Sequence, residues 1–277
     1  MRSVLKYPGS KWNVATKIVE LIPDHHSYLE PYFGSGAVLF SKPVSDIETI
    51  NDLDSDVTNL FRCIQEDSER LARIVMTTPF SREEYDLQFE ITEGAVNIDS
   101  FQRAAGFLIR CWQGYGYRTN GYKVGWKNDI QGREKAYALW NWYRLPEWII
   151  EITERLRKVQ IENRPAMEVI RRFNYPNVFM YLDPPYVIKS RSGKSKQYLH
   201  EMTDSDHEEL LKEILQSKAE IMISGYESDI YNDYLKDWNK LYLNSCDAHG
   251  KTRTEVIWIN YEENVQMSLY DLEGVNA

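Results

Sequence analysis

Long hydrophobic runs, cysteine and positive charge are all scarce in this chain of 277 residues. No uninterrupted apolar run approaches the roughly 20 residues that a membrane-spanning helix needs, and the first residues, MRSVLKYPGSK, lack the apolar stretch of a signal peptide. The three cysteines are unequally spaced and odd in number, which disfavours a disulfide framework. We therefore expect a cytoplasmic protein with reduced thiols and no membrane association.

Positive charge is outnumbered, because 33 Lys and Arg face 42 Asp and Glu, for a formal net charge of −9. Phosphate binding needs a basic surface, so this total by itself disfavours a nucleic-acid partner. The basic residues are concentrated, however, in three stretches, residues 1–19, 101–135 and 187–200. The chain can therefore present one basic face on an acidic body, with solvated loops as the alternative interpretation of each stretch.

Alternating strands and helices predict an α/β fold. Residues 12–22 have the apolar spacing of a helix, residues 27–40 fit a strand, a glycine turn and a helix start, and residues 47–54 fit a second strand that ends in carboxylates. Later strands are predicted in NVFMYLDPPY, AEIMISGY and TEVIWINY. A helix is predicted in DSDHEELLKEILQS, and we expect Asp204 or Asp206 to cap it.

The middle of the chain differs in character, since it is helix-like and then rich in Trp, Tyr, Gly and basic residues. We predict a discontinuous α/β domain of residues 1–68 and 155–277, interrupted by a smaller, mostly helical domain of residues 69–154. The aromatic stretch from Trp112 to Trp126 forms either the core of this small domain or a DNA surface. Interleaved basic residues favour the DNA surface: Arg110, Arg118, Lys123 and Lys127.

The clearest chemical motif is Asp183-Pro184-Pro185-Tyr186, which follows a predicted strand at the end where α/β sheets bind ligands. One reaction that suits this motif is methyl transfer to an aromatic amine. That reaction requires electron density on a nitrogen whose lone pair is delocalised into the ring. The Asp183 carboxylate and the Pro184 carbonyl can accept the amino protons and stabilise the developing positive charge. Two prolines keep this backbone rigid, and Tyr186 is expected to stack on an extruded base. The alternative is a turn that only ends the strand.

A glycine turn, Glu30-Pro31-Tyr32-Phe33-Gly34-Ser35-Gly36, lies between a predicted strand and a predicted helix. Such glycines let the backbone approach a ligand, although many α/β proteins have a similar turn for packing alone. The turn lacks the Gly-Lys-Ser/Thr ending of a phosphate-binding loop, which disfavours nucleoside triphosphates. After the second strand, Asp52 suits a ribose diol, whereas Asp54 and Asp56 are equally well explained as helix caps.

The order of these motifs is that of one family. The chain resembles the Dam-like, α-group DNA adenine methyltransferases over nearly its whole length, because it contains in order Lys6-Tyr7-Pro8-Gly9-Ser10-Lys11, the glycine turn, Asp52 and Asp183–Tyr186. The resemblance implies a Rossmann-like methyltransferase sheet with an inserted, mostly helical target-recognition domain. It also implies methyl transfer from S-adenosylmethionine, without a metal, to the N6 amino group of an adenine flipped out of double-stranded DNA.

The resemblance implies roles for individual residues as well. The catalytic residues are Asp183, Pro184 and Tyr186. The residues implied to contact the cofactor are Tyr7, Lys11, Tyr32, Gly34, Gly36, Asp52 and Asp183, with the turn at the amino-acid end and Asp52 at the ribose. The residues expected to contact DNA are Lys6, Arg118, Asn120, Lys123 and Lys127, and Arg118-Thr119-Asn120 resembles the Arg-x-Asn recognition element of the family.

Two segments depart from the family pattern. Members often carry an aspartate before the catalytic strand that contacts the adenine of the cofactor, whereas this chain has Arg164-Pro165-Ala166 there. The contact to the cofactor's adenine is therefore unassigned. Tyr7 and Pro8-Gly9-Ser10 replace the commoner tryptophan and paired glycines, which are similar in shape.

Other functions fit the sequence less well. A methyltransferase acting on RNA or on a protein glutamine uses a related tetrapeptide, but the basic insertion and Asp183 favour DNA adenine. A DNA-binding relative without catalysis is disfavoured by the intact tetrapeptide and glycine turn. His25-His26 and Cys246-x-x-His249 lack a second pair at zinc spacing. We expect a monomer on DNA, and the sequence leaves open both the bases beside the adenine and an accompanying restriction endonuclease.

Overall fold

The computed structural model describes residues 1–94, 98–116, 119–128, 137–191, 197–246 and 252–262. Within them, the chain forms one seven-stranded sheet with helices on both faces. The strands are β1 (Ser27–Glu30), β2 (Ile47–Asn51), β3 (Val159–Glu162), β4 (Val178–Leu182), β5 (Glu220–Gly225), β6 (Asn239–Cys246) and β7 (Thr252–Ile259). The helices are α1 (Ala15–Glu20), α2 (Ala37–Ser41), α3 (Ser55–Thr77), α4 (Arg82–Gly94), α5 (Ser100–Gln113), α6 (Tyr137–Glu151), α7 (Thr153–Leu156), α8 (Ala166–Arg172), α9 (Asp204–Ile214) and α10 (Asp229–Tyr234).

The strand order β3-β2-β1-β4-β5-β7-β6 is that of a doubly wound sheet. Strands β1 to β5 run parallel to one another, and β7 runs antiparallel to both β5 and β6. The chain first builds outward from β1 to β3 and then returns to place β4 on the other side of β1. The topological switch point, where such sheets bind ligands, therefore lies between β1 and β4. The Rossmann-like sheet predicted from the sequence is confirmed.

The strands bury side chains on both faces, because successive residues of a strand point to opposite sides. On β4, Phe179 and Tyr181 belong to the larger core, which α1, α2, α3, α5 and α6 cover. Val178, Met180 and Leu182 belong to the second core, which α8, α9 and α10 cover. This double burial explains why the strand appears in the sequence as a continuous apolar run rather than an alternating one.

The helices of the middle segment pack on the larger core instead of forming a separate one. Phe101, Trp112 and Trp148 belong to the same buried cluster as Tyr28 and Phe61. Helix α3 runs through residue 68, and its one departure from helical angles is at Asp67, with φ −156° and ψ 80°. The domain boundaries at residues 68 and 155 stay a prediction.

Several local predictions are corrected. Helix α1 is limited to Ala15–Glu20 and is shorter than the predicted 12–22. Helix α9 is capped by Thr203 and not by Asp204 or Asp206, because Thr203 has extended backbone angles and its hydroxyl accepts the Asp206 N–H. The Asp206 carboxylate in turn accepts the Thr203 N–H, which completes a capping box. In the described part of the chain, no helix is long and apolar enough to cross a membrane.

A buried ion cluster joins the segment after α2 to β2 and α7. The Glu48 carboxylate accepts from Lys42 Nζ at 2.7 Å, from Arg155 through both its oxygens, and from the Ser45 N–H at 3.1 Å. The side chains of Lys42, Glu48 and Arg155 are only 2%, 1% and 6% exposed. This cluster lies outside the cavity described below.

Candidate active site

A cavity of about 800 Å³ opens where the carboxyl ends of β1, β2 and β4 meet the segment before α1. The predicted site residues that line it are Tyr7, Lys11, Tyr32, Gly34, Asp52, Asn120 and Asp183. The predicted site residues that do not line it are Lys6, Gly36, Lys123, Lys127, Pro184 and Tyr186. Arg118 lies outside the described residues. The sheet therefore brings together the segments that carry the N-terminal motif, the glycine turn and the catalytic tetrapeptide.

The Asp183 carboxylate is held by two donors from distant parts of the chain. Lys11 Nζ donates to Oδ2 at 2.7 Å, and the Ser224 hydroxyl donates to Oδ1 at 2.7 Å. Ser224 lies on β5, and its Oγ is 3.1 Å from the Tyr181 hydroxyl. Each oxygen keeps acceptor capacity after these bonds, since an ionised carboxylate has about four acceptor sites. The carboxylate is thus oriented before any substrate arrives.

Lys11 is a buried cation among acidic groups, only 4% exposed. Its ammonium also donates to the Gly9 carbonyl at 2.7 Å and lies 3.8 Å from Glu255 Oε2. Burial by itself lowers the pKa of Lys11, but the nearby Asp183 and Glu255 outweigh burial and raise it. The ammonium is therefore charged at neutral pH and offsets part of the negative charge around Asp183.

Glu30, at the end of β1, is a further carboxyl group in the wall of the cavity. Burial raises its pKa to about 8, even though the Tyr28 hydroxyl donates to it at 2.8 Å. Near neutral pH this group is largely protonated. It therefore adds little negative charge to the cavity beside Asp183.

The glycine turn adopts backbone angles that most side chains avoid, with φ +49° at Gly34 and +69° at Gly36. A Cβ at Gly34 would lie 3.1 Å from the Tyr7 ring, and a Cβ at Gly36 would collide with the Phe33 ring. Asp52 follows β2 and fastens the turn, because its Oδ2 accepts the Gly34 N–H at 2.8 Å. Gly36 thus packs against the Phe33 ring and does not line the cavity, whereas Gly34 does line it.

Asp52 occupies the position predicted for a ribose ligand, at the carboxyl end of β2. Its Oδ1 accepts the Asp54 N–H at 2.9 Å. Burial raises the pKa of Asp52 to about 7, although the Gly34 and Asp54 N–H groups counteract it. Asp54 is the N-cap of α3 and also lines the cavity, whereas Asp56 pairs with Arg103 and Arg110.

A second wall of the cavity comes from the segment before α9, which packs on the N-terminal motif. The Tyr198 hydroxyl donates to the Pro8 carbonyl at 3.1 Å, and a Cβ at Gly9 would collide with that hydroxyl. Thr119 ties the recognition segment to the same place, because its N–H donates to the Gln197 carbonyl at 2.9 Å and its hydroxyl accepts the Leu199 N–H at 3.0 Å. The predicted recognition segment is therefore in direct contact with the wall of the cavity.

The predicted DNA contacts lie in different surroundings. Lys6 is close to Lys127, and its ammonium is 4.4 Å from the centre of the Trp112 ring; burial and the charge of Lys127 lower the pKa of Lys6 to about 8. Lys123 pairs with Asp86 at 2.8 Å. Asn120 lines the cavity and accepts the Tyr122 N–H at 3.1 Å.

Some basic residues of the predicted DNA face are internal. Arg110 is buried and bound to Asp56 at 2.7 Å, and Arg191 is buried in a two-bond pair with Glu201. Trp112 is core, and its indole N–H donates to the Val4 carbonyl at 2.8 Å. The sequence could not separate these residues from surface ones, because burial and ion pairing depend on which groups meet in space.

Three residues of the site had no role in the sequence-based prediction. Ser224 lies one residue before the end of β5, so the rule that strand ends bind ligands was a usable signal. Tyr198 and Glu255 carried no such signal, since one lies in a connection and the other within a strand. Among the residues that were weighed above against zinc spacing, the His25 ring nitrogens lie 2.7 Å from the Pro23 carbonyl and the Ser45 hydroxyl, and His249 lies outside the described residues.

The cavity suits a nucleoside-containing cofactor in size and in chemistry. Its volume falls within the roughly 300–1,000 Å³ of small-molecule sites. Asp52 offers a carboxylate for a diol, and Gly34 leaves the backbone open beside it. Pro165, Ala166 and Met167 line the cavity at the place where the family often has an aspartate. In the described ranges, no group of three or more His, Cys, Asp or Glu could hold a metal ion.

A doubly wound sheet with a cavity at its switch point is typical of enzymes that bind such cofactors. Residues 7–257 match the family described as D12 class N6 adenine-specific DNA methyltransferase. The chain belongs to this family, and its reaction is the methylation of adenine in DNA. Membership also implies S-adenosylmethionine as the methyl donor.

Full-length relatives agree with this membership. The chain is 27% identical to Type II methyltransferase M1.LlaDCHI of Lactococcus lactis subsp. cremoris, over 94% of this chain and 96% of the relative. It is 24% identical to Type II methyltransferase M.MjaIII of Methanocaldococcus jannaschii, over 86% and 89%. It is 21% identical to the Retron Ec67 DNA adenine methylase of Escherichia coli, over 94% and 92%.

Proposed function

We propose that this enzyme methylates an adenine flipped out of a specific double-stranded sequence, with Asp183, Pro184 and Tyr186 as its catalytic residues. The observation that carries the proposal is the Asp183 carboxylate, held by Lys11 and Ser224 in a cavity at the switch point. Measuring the transfer of a tritiated methyl group to unmethylated DNA by the wild type and by Asp183→Ala tests it. Transfer by the wild type alone supports the assignment, and equal transfer by both contradicts it.

The chemistry assigned to these residues is orientation and charge stabilisation. The free acceptor sites of Asp183 and the Pro184 carbonyl take the two amino protons of the adenine, which directs the nitrogen lone pair away from them. As the new N–C bond forms, positive charge develops on the nitrogen, and the preorganised carboxylate stabilises it. Tyr186 supplies an aromatic face for the extruded base.

The cofactor residues are assigned by their places around the cavity. S-adenosylmethionine supplies an electrophilic methyl group on a sulfonium. In this proposal Asp52 binds the ribose hydroxyls, and the turn from Tyr32 to Gly34 holds the amino-acid end of the cofactor. Tyr7 and Lys11 form the wall of the cavity that the N-terminal segment contributes. The large, partly apolar wall from Pro165 to Met167 fits the adenine ring of the cofactor without an acidic contact there.

We predict that Asp52→Ala weakens the binding of S-adenosylmethionine, because a charge-assisted hydrogen bond is worth about 1.5–3 kcal/mol. DNA affinity without the cofactor should barely change. Since the pKa of Asp52 is about 7, its carboxylate is mostly protonated at pH 6 and mostly ionised at pH 8. If only the ionised form binds the diol, the affinity of the wild type rises about tenfold between these pH values. Calorimetry at both pH values measures this change.

The matched control is Asp52→Asn, which keeps the shape and an acceptor but cannot titrate. Any titration of the cofactor's own amino group affects both proteins equally, so the difference between them isolates Asp52. A wild-type affinity in Asp52→Ala would reassign this residue to fastening the glycine turn. An equal pH dependence in the wild type and Asp52→Asn would remove the proposed ionisation.

DNA recognition is assigned to the segment around Asn120 and to Lys6 and Lys127, two cations that lie close together. A phosphate between the two ammonium groups would relieve their repulsion, which supports a backbone contact there. Asn120 lies at the cavity wall, so a base read by this segment would be close to the target adenine. Lys123 already pairs with Asp86, and we therefore assign it a smaller contribution to DNA affinity.

We predict that Arg118→Ala flattens the preference for one base position, because the planar fork of arginine can bind a guanine edge through two bonds. The loss of preference is about 1–3 kcal/mol. Lys127→Ala should instead weaken binding to all sequences and lower the slope of its salt dependence by about one. The measurement is methylation of oligonucleotides that carry every single-base change around the target. A uniform decrease across the set for Arg118→Ala would contradict the specificity role.

The two Type II relatives support a role beside a cognate restriction endonuclease. We assign the enzyme to such a system, acting on DNA as a monomer. Methylated DNA should then resist cleavage by the partner endonuclease.

A further inference from the structure

Glu255 is a buried carboxylate beside the catalytic tetrapeptide, although it lies on an antiparallel strand remote in sequence. It is next to Val256, which pairs with Gly225 at the carboxyl end of β5. Its side chain is 11% exposed; Oε2 accepts the Tyr186 hydroxyl at 3.3 Å and lies 3.8 Å from Lys11 Nζ. Strand β7 thus delivers a second carboxylate to the ammonium that binds Asp183.

We propose that Glu255 is a positioning residue for methyl transfer, which shares the Lys11 ammonium with Asp183 and holds the Tyr186 ring through its hydroxyl. The proposal rests on the catalytic roles assigned to Asp183 and Tyr186. The contacts of the Glu255 carboxylate are with the Lys11 ammonium and the Tyr186 hydroxyl. In this proposal it therefore acts through Lys11 and Tyr186 rather than on a substrate.

The charge of Glu255 changes what Lys11 does to Asp183. An ammonium bound to Asp183 alone would cancel most of the negative charge that the developing cation on the adenine nitrogen needs. With Glu255 on the same ammonium, two carboxylates share one positive charge, and Asp183 keeps more of its own. Burial raises the pKa of Glu255, and the adjacent Lys11 ammonium counteracts that rise. The other neighbouring acid, Glu30, has a pKa raised to about 8 and is largely protonated near neutral pH.

The same residue restrains the ring of Tyr186. Lys11 Nζ lies 4.9 Å from the centre of that ring, and the Tyr226 ring meets it edge to face at a centre distance of 4.7 Å. Glu255 adds a hydrogen bond at the hydroxyl. A ring contacted by an ammonium, a second ring and a carboxylate has little freedom to rotate, which is what stacking on an extruded base requires.

The decisive variant is Glu255→Gln, because glutamine keeps the shape and an acceptor for Tyr186 but removes the charge that faces Lys11. We expect the single-turnover rate of methyl transfer to fall by about tenfold to a hundredfold, by analogy with residues that orient the ligands of a catalytic metal. The affinity for S-adenosylmethionine should stay within twofold, and the KM for DNA and the Tm should be nearly unchanged. Glu255→Asp, which restores the charge, should recover part of the rate.

The matched control is Glu220→Gln, which changes a glutamate at the opposite end of β5. It should retain the wild-type rate. A wild-type rate in Glu255→Gln would overturn the proposal. So would a slow rate accompanied by equal losses of cofactor affinity and Tm that Glu255→Asp does not recover, since that pattern marks a structural role only.

Asp183→Ala in the same assay separates this inference from the proposed function. If Asp183→Ala is inactive and Glu255→Gln is fully active, only the role of Glu255 is wrong. If Asp183→Ala is also fully active, the catalytic assignment is wrong and the role of Glu255 falls with it.

Discussion

Replacing Asp183 with alanine should lower the rate of methyl transfer by a factor of at least about 10²–10³. This is the usual effect of removing one preorganised polar group, and it corresponds to about 2.7–4 kcal/mol of transition-state stabilisation. The carboxylate accepts from Lys11 and Ser224 at 2.7 Å each, so its orientation is set before the adenine binds. Cofactor affinity should remain within a few-fold, because Asp183 acts mainly on the substrate amine.

The variant should still fold. Without Asp183, the Lys11 ammonium keeps the Gly9 carbonyl at 2.7 Å and Glu255 at 3.8 Å, so the buried cation is not left alone. Single-turnover transfer of tritiated methyl groups gives the rate, and calorimetry gives the cofactor affinity. Asp204→Ala, which changes a half-exposed aspartate that pairs with the exposed Lys189, is the matched control and should be fully active. Unchanged turnover in Asp183→Ala would falsify the mechanism.

The second large effect is on stability: Glu48→Gln should lower the free energy of unfolding by about 3–5 kcal/mol. The Glu48 carboxylate faces two buried cations, Lys42 and Arg155, and all three side chains are at most 6% exposed. Neutralising the acid leaves both cations uncompensated in the interior. Urea unfolding followed by circular dichroism measures the change.

Glu154→Gln is the matched control, because Glu154 pairs with Arg157 on the surface, with side chains 82% and 67% exposed. It should change stability by less than about 0.5 kcal/mol. Equal stability of Glu48→Gln and the wild type would show that the cluster contributes nothing.

The same cluster predicts a pH dependence. Burial raises the pKa of Glu48, but its bonds to Arg155 and Lys42 outweigh burial and lower it below the ordinary 4.5. A carboxyl group with a lowered pKa in the folded state stabilises the fold above its unfolded pKa, and that contribution disappears as pH falls through the folded pKa. Below about pH 4.5 the wild type should therefore lose stability faster than Glu48→Gln.

Much of the fold and of the cavity was predictable from local patterns. The strand, glycine turn and helix of residues 27–41 and the strand before Asp183 are marked by apolar runs, glycines and prolines, which constrain the backbone locally. Seven of the predicted site residues line one cavity. Four of them, Tyr32, Gly34, Asp52 and Asp183, follow parallel strands that end at the same edge. Their catalytic and binding roles stay predictions.

Local patterns failed where backbone angles or burial decide what a side chain does. Thr203 caps α9 although two aspartates follow it, because the backbone angles at residue 203 decide the cap. Arg110 and Arg191 have the composition of a DNA surface, yet their charges are buried against Asp56 and Glu201. Nothing in the neighbouring residues distinguishes a buried, paired arginine from an exposed one.

The sequence by itself determined the fold class, the family and the order of the motifs, because periodicity and turn chemistry are encoded in neighbouring residues. Only the tertiary structure decided which charges meet. Lys11 and Asp183 are 172 positions apart. Ser224, on β5, donates to Asp183, and Glu255, on β7, lies beside the Lys11 ammonium. Coulomb energy and desolvation depend on distance and burial in space, so the electrostatics of the active site exist only once the sheet has assembled these strands.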